Sequence, residues 1–114
     1  MRTIFMGSPE FAVASLEKVH ELTDLQAVYT QPDKVRGRRG NKLEPTAVKK
    51  KALELGLPVH EPKRIRDPEV IEELRAYKPD VILVVAYAKL IPPEILELPE
   101  HGCINVHPSL LPRY

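Results

Sequence analysis

The chain has 114 residues, 43% of them apolar and 29% charged, the make-up of one globular domain. No run approaches the roughly 18 apolar residues of a membrane span, and a single cysteine, Cys103, excludes a disulfide framework and a cysteine-based metal site. The formal net charge of +1 hides an asymmetry: residues 34–66 hold 11 Lys and Arg against three acids, a net of +8, and the rest carries −7. A basic block in an acidic body points either to a polyanion contact or to a solvated helix face with a mobile loop. The opening Met-Arg-Thr-Ile-Phe-Met-Gly lacks the pattern of a secretory signal, so a cytoplasmic, reducing setting is expected.

Short β-rich runs alternate with helical runs. Thr3–Met6 reads as strand one, ended by Gly7. Ser8 is the expected N-cap of a first helix, with Pro9 at its first position and Glu10 complementing its dipole. Phe11, Ala12, Ser15, Leu16, Val19 and Leu22 share one face of that helix. Leu25–Thr30 reads as strand two. Gln31–Glu44, polar and without apolar period, reads as a long loop. Pro45 starts a helix to about Leu55, closed by Gly56. Leu57–His60 is a short third strand, placed near an edge by Pro58. Asp67 caps the next helix, Pro68 opens it, and Val70, Ile71, Leu74 and Tyr77 line its inner face until Pro79 stops it. Val81–Ala86 is the continuous aliphatic run of a strand buried on both faces. A turn of helix near Pro93–Leu96 leads to a last strand, Cys103–His107.

This alternation predicts an α/β fold: a Rossmann-like open, mostly parallel sheet with helices on both faces and strand order near 3-2-1-4-5. Ligands of such sheets bind beyond the carboxyl ends of the strands, where the order reverses. Gly7-Ser8-Pro9 and Tyr87-Ala88-Lys89 should flank that crevice, with Asn105–Ser109 beside it. The first turn has Gly7 alone rather than a Gly-x-Gly-x-x-Gly fingerprint, and no P-loop is present, which disfavours a nucleotide cofactor.

Asn105 and His107 are two apart on the last strand, hence on one face and about 6.6 Å apart. An Asn amide can donate to a developing oxyanion; a His can move protons near neutral pH. Cys103 shares the face, but its Cα lies roughly 13 Å from that of His107, too far for a thiol–imidazole pair, and a packing role is expected. On its own, Asn-x-His equally suits a capped strand end. His20, His60, His101 and His107 are not spaced as a zinc set, so no metal is expected; the first three read as surface or turn residues.

Asn105-Val106-His107-Pro108-Ser109-Leu110-Leu111-Pro112-Arg113-Tyr114 closely resembles the signature of the folate-dependent formyltransferases. Phe5-Met6-Gly7-Ser8-Pro9-Glu10-Phe11-Ala12-Val13, Thr30-Gln31-Pro32-Asp33-Lys34 with the Gly/Arg-rich segment after it, and Val84-Val85-Ala86-Tyr87 resemble the branch that acts on methionyl-tRNA. The resemblance implies formyl transfer from 10-formyltetrahydrofolate to the α-amine of initiator methionyl-tRNA. It implies that Asn105 and His107 are catalytic. It places folate at Ser109, Leu110, Leu111 and Pro112 and at a pterin wall of Tyr87, Ala88, Lys89 and Leu90. Many relatives have Gly at the position of Ala88. Arg36, Arg38, Arg39 and Lys42 would meet the tRNA acceptor end. The family's catalytic Asp and C-terminal barrel lie downstream of the Leu-Leu-Pro-Arg-Tyr run, so residues 1–114 are expected to be part of a catalytic domain within a longer, monomeric protein, and inactive alone. Two other readings are a glycinamide ribonucleotide or amino-sugar formyltransferase and a non-catalytic nucleic-acid-binding module of the same fold.

Overall fold

The computed structural model describes residues 1–35, 43–87 and 89–106. Its strands are β1 (Arg2–Gly7), β2 (Asp24–Tyr29), β3 (Lys34–Val35), β4 (Leu43–Glu44), β5 (Val59–His60), β6 (Val81–Val85) and β7 (Cys103–Val106); its helices are α1 (Val13–Leu22), α2 (Ala47–Glu54), α3 (Pro68–Tyr77) and α4 (Pro93–Leu96), with a 3-10 turn at Glu10–Ala12. Five strands form a parallel sheet in the order β5-β2-β1-β6-β7, which is the predicted 3-2-1-4-5 once the small hairpin is set apart. Among the described residues β5 and β7 are its edges.

The sheet separates two apolar cores. On one face Ile4, Met6, Ala27, Tyr29, Ile82 and Val84 pack against Leu74 of α3 and Ile95 of α4. On the other, Phe5, Val28 and Val85 pack against Leu16 and Val19 of α1 and Val48 and Ala52 of α2. Alternate residues of β1, β2 and β6 thus supply both cores, as burial on two faces demands.

Several local expectations are corrected. Ser8 does not cap α1. Pro9, extended at φ −77°, precedes a 3-10 turn, and α1 begins at Val13 with no side-chain cap bond. That extra turn rotates the helix: Ala12, Leu16 and Val19 are buried, whereas Phe11 and Leu22 are 54% and 73% exposed. Helix α2 starts after Thr46, whose hydroxyl accepts from Lys49 N at 3.0 Å; Pro45 lies outside it. The predicted loop 31–44 contains a two-residue antiparallel ladder, Lys34 opposite Glu44 and Val35 opposite Leu43. Asp67 does stand at the start of α3, but without a side-chain cap bond.

Candidate active site

Beyond the carboxyl ends of the strands, β1 and β6 come very close. Gly7 pairs with Val85, and a Cβ on Gly7 would lie 2.5 Å from the Val85 carbonyl oxygen. Directly after β6, Ala86 takes a left-handed φ of 55°, a conformation costing a non-glycine residue about 1–2 kcal/mol. The chain thereby turns Tyr87 into the α3/α4 core while Ala86 faces the opposite side.

On that side lies a cavity of about 980 Å3, walled by Ser8, Pro9, Gln31, Thr46, Lys50 and Ala86 among others. Ser8 and Pro9 were expected at the crevice; the contribution of the β2–α2 side was not. The missed signal is Gln31, the second residue after β2 and therefore also at a carboxyl end. Buried hydroxyls brace this wall. Ser8 Oγ is 3.2 Å from Thr30 Oγ1, which is 2.7 Å from Thr46 Oγ1; Gln31 N donates to Ser8 Oγ at 3.1 Å and Val48 N to Ser8 O at 3.2 Å. Ser8 is thus a bracket between β1, β2 and α2 rather than a helix cap.

Asn105 lies on β7 opposite Val84, whose side chain belongs to the α3/α4 core, so the pairing places Asn105 on the same face of the sheet as Tyr87. Asn105 is exposed. Tyr87 is 2% exposed; burial pushes its phenol up to about 12, and its hydroxyl has no partner among the described residues. Lys89 Nζ donates to the carbonyl of Lys63, tying the segment after β6 to the one before α3, and Leu90 stands 82% exposed. Cys103 Sγ contacts Ile95 O at 3.6 Å and its thiol is pushed up by burial, the opposite of an activated nucleophile. His107, Ser109, Leu110, Leu111, Pro112, Ala88, Arg36, Arg38, Arg39 and Lys42 lie outside the described residues.

His60 is not a surface or turn residue. It stacks on Tyr29 with ring centroids 4.8 Å apart, and its Nε2 lies 2.7 Å from the Tyr77 hydroxyl. Its Nδ1 is 3.2 Å from Glu73 Oε2, and Tyr29 donates to Glu73 Oε1 at 2.7 Å. This cluster fastens the edge strand to α3.

The residue profile of the formyl transferase family matches residues 1–114. The chain belongs to the formyl transferase family. It is 55% identical over 113 residues to a methionyl-tRNA formyltransferase of Myxococcus xanthus, and 53% identical over 114 residues to one of Trichlorobacter lovleyi; each match takes in 99% of this chain and 36% of the relative. It therefore spans little more than a third of the length of those relatives. Among solved structures it resembles the phosphoribosylglycinamide formyltransferase of Streptococcus pneumoniae TIGR4, with TM-score 0.66 and 19% identity over 97% of this chain and 58% of that one. It also resembles glycinamide ribonucleotide transformylase 1 of Geobacillus kaustophilus, with TM-score 0.62 and 25% identity over 99% and 61%. Membership of the family rests on the whole-chain match, and the open parallel sheet is the fold these structures share.

Proposed function

We propose that the protein carrying this chain transfers a formyl group from 10-formyltetrahydrofolate to the α-amine of initiator methionyl-tRNA, in the cytoplasm, as a monomer, without a metal, to serve translation initiation. The observation that carries the reading is identity above one half with methionyl-tRNA formyltransferases along the whole chain. The exposed Asn105 at the carboxyl end of β7 supports it from the geometry.

The reaction needs an unprotonated amine, and free α-amines have pKa values of about 7.7–8.0, so a modest base suffices. As the amine nitrogen bonds to the formyl carbon, the carbonyl oxygen becomes an oxyanion, to which the Asn105 amide donates. His107, two positions on, takes the proton from the attacking nitrogen or hands one to the folate nitrogen that departs. The family's downstream Asp would orient that imidazole.

Ser109–Pro112 and Tyr87–Leu90 are assigned to folate, which supplies the activated formyl group when bound. The described part of that wall fits. The buried Tyr87 hydroxyl, unpartnered among the described residues, is a group that pterin heteroatoms would satisfy, and Leu90 offers open apolar surface. Arg36, Arg38, Arg39 and Lys42, between β3 and β4, would neutralise tRNA phosphates.

A glycinamide ribonucleotide acceptor is the second reading, favoured by the structural neighbours of that activity. A small acceptor has no need of a segment with four cations in seven residues, and the tRNA reading takes precedence. In the full protein, Asn105→Ala and His107→Ala should each lower kcat by roughly 10²–10³ while folate affinity holds. Turnover within about threefold of wild type would remove that residue from the chemistry.

A further inference from the structure

Tyr87, proposed above for the folate wall, shares the Asn105 face of the sheet, and the cavity of about 980 Å3 opens on the other. That volume is at the upper end of what ligand clefts enclose, so a nucleotide-sized group fits inside. Its wall carries groups the fold does not use. Phe11, on the 3-10 turn before α1, is 54% exposed beside a wholly buried Ala12, and an open phenyl face in a cleft is a stacking platform for a base. Gln31 is fixed by its backbone, whose N donates to Ser8 Oγ at 3.1 Å, while its side-chain amide nitrogen is buried without a partner among the described residues. A buried amide left unpaired costs stability that a ligand's polar edge restores.

Lys49, Lys50 and Lys51 stand in a row on α2. Lys49 is held by Asp33 and Glu61, and Lys51 by Glu17 and Glu54, at 3.0–3.3 Å. Lys50, between them, is exposed, lines the cavity and has no ion pair among the described residues. Glu10 and Glu44 share the wall with it, so the cavity as a whole is not basic: one phosphate at Lys50 fits, and a run of phosphates does not. A platform for one base, an amide for its edge and a cation for one phosphate describe a single nucleotide. The acceptor proposed above ends in one, adenosine, whose amino group and ring nitrogen complement the oxygen and nitrogen of an amide. The amino acid hangs from its ribose by a few bonds. A base seated by Ala86, where β6 ends, therefore leaves the amine to cross the strand ends to Asn105 on the neighbouring β7.

We propose that the cavity seats the acceptor's terminal adenosine: Phe11 stacks on the base, Gln31 pairs with its edge, and Lys50 neutralises the phosphate leading into it. The inference rests on the methionyl-tRNA reading given above. In the full protein, Phe11→Ala should raise KM for initiator methionyl-tRNA about five- to fiftyfold and leave KM for 10-formyltetrahydrofolate within about twofold. A methionyl-tRNA whose last nucleotide lacks its base should lose as much with the wild-type protein, and nothing further with Phe11→Ala. Purine riboside in place of the last adenosine, lacking only the amino group, should weaken wild type about three- to tenfold; Gln31→Leu should not tell the two apart. Lys50→Met should lower the slope of log Kd for tRNA against log salt by about 0.7, and should match wild type on methionyl-adenosine, which has no phosphate.

Additive losses from Phe11→Ala and from the missing base would put that ring against the methionyl side chain instead and overturn the proposal. So would a Gln31→Leu protein that still prefers adenosine, or an unchanged salt slope in Lys50→Met. Phe11 and Lys50 are exposed, so their variants should fold, and an unchanged KM for folate reports that they have. Should Gln31→Leu not fold, the missing base tested on Phe11→Ala and the salt slope of Lys50→Met decide the question. Formylation of methionyl-tRNA by the wild-type protein with additive losses removes only the adenosine seat; no formylation of methionyl-tRNA at all removes the reading on which it rests.

Discussion

Gly7 has room for a hydrogen and nothing more: an added Cβ would meet the Val85 carbonyl oxygen at 2.5 Å and the Phe5 ring at 3.0 Å. Gly7→Ala should therefore cost about 1–3 kcal/mol, since strand backbone cannot yield as a side chain does. Urea unfolding of the full protein measures it, and an unshifted midpoint would contradict the close approach of β1 and β6. The tyrosines set a second expectation. Burial pushes Tyr87 up to about 12; burial and then the bond to Glu73 push Tyr29 upward as well. In the unfolded chain both ionise near pH 10. Their contribution is complete below about pH 10 and is lost as pH rises above it, because only the unfolded chain then sheds its protons. Lys49, also raised, acts in the same direction: its contribution is complete below the unfolded value of about 10.4 and fades above it. Urea midpoints taken between about pH 8 and 11 should fall in the upper part of that range; a rise there would contradict the burial of these groups.

The tie between β5 and α3 shows what a short edge strand needs. With two residues in its ladder, β5 is held by side chains: His60 stacks on Tyr29, and Glu73 accepts from Tyr29 and pairs with His60. Glu73→Ala would strand a buried hydroxyl and should cost about 1–3 kcal/mol. Tyr77→Phe removes only the bond to His60 and should cost about 1 kcal/mol. Calorimetry of the two variants checks the order, and Tyr77→Phe proving the worse would contradict it. This cluster was not legible in the sequence, because His60, Glu73 and Tyr77 meet only once the crossover has folded. The sheet was legible: Val81–Val85 is aliphatic throughout because both faces are buried, and Pro58 marks the edge. Helix starts were less so. Ser8-Pro9-Glu10 has capping chemistry, yet the Ser8 hydroxyl is taken by Thr30 and by Gln31 N, a long-range demand that local pattern does not reveal. The position of Asn105 was legible, since the β-rich run Cys103–His107 marks the last strand, and β7 does hold Asn105, exposed and opposite Val84.

At the scale of the molecule, the charge asymmetry and the sheet agree. The segment of net +8 includes α2, whose Lys50 and Lys51 line the cavity where β1 and β2 end. Asn105 is on the other face of the sheet, opposite Val84 at the carboxyl end of β7, so an acceptor held on the cavity flank would have to reach across the strand ends to present its amine to that donor. Tyr87, proposed above for the folate wall, shares Asn105's face of the sheet. On the proposed reading the chemistry and the acceptor are separable: an oxyanion donor and an imidazole would serve any amine, whereas a run of cations would serve a polyanion. The measurement that bears most directly on this is formyl transfer by the full protein from 10-formyltetrahydrofolate, with initiator methionyl-tRNA and glycinamide ribonucleotide offered as acceptors in parallel. Expected is formylation of the methionyl-tRNA, lost in Asn105→Ala, and none of the ribonucleotide; transfer to the ribonucleotide with methionyl-tRNA left untouched would contradict it.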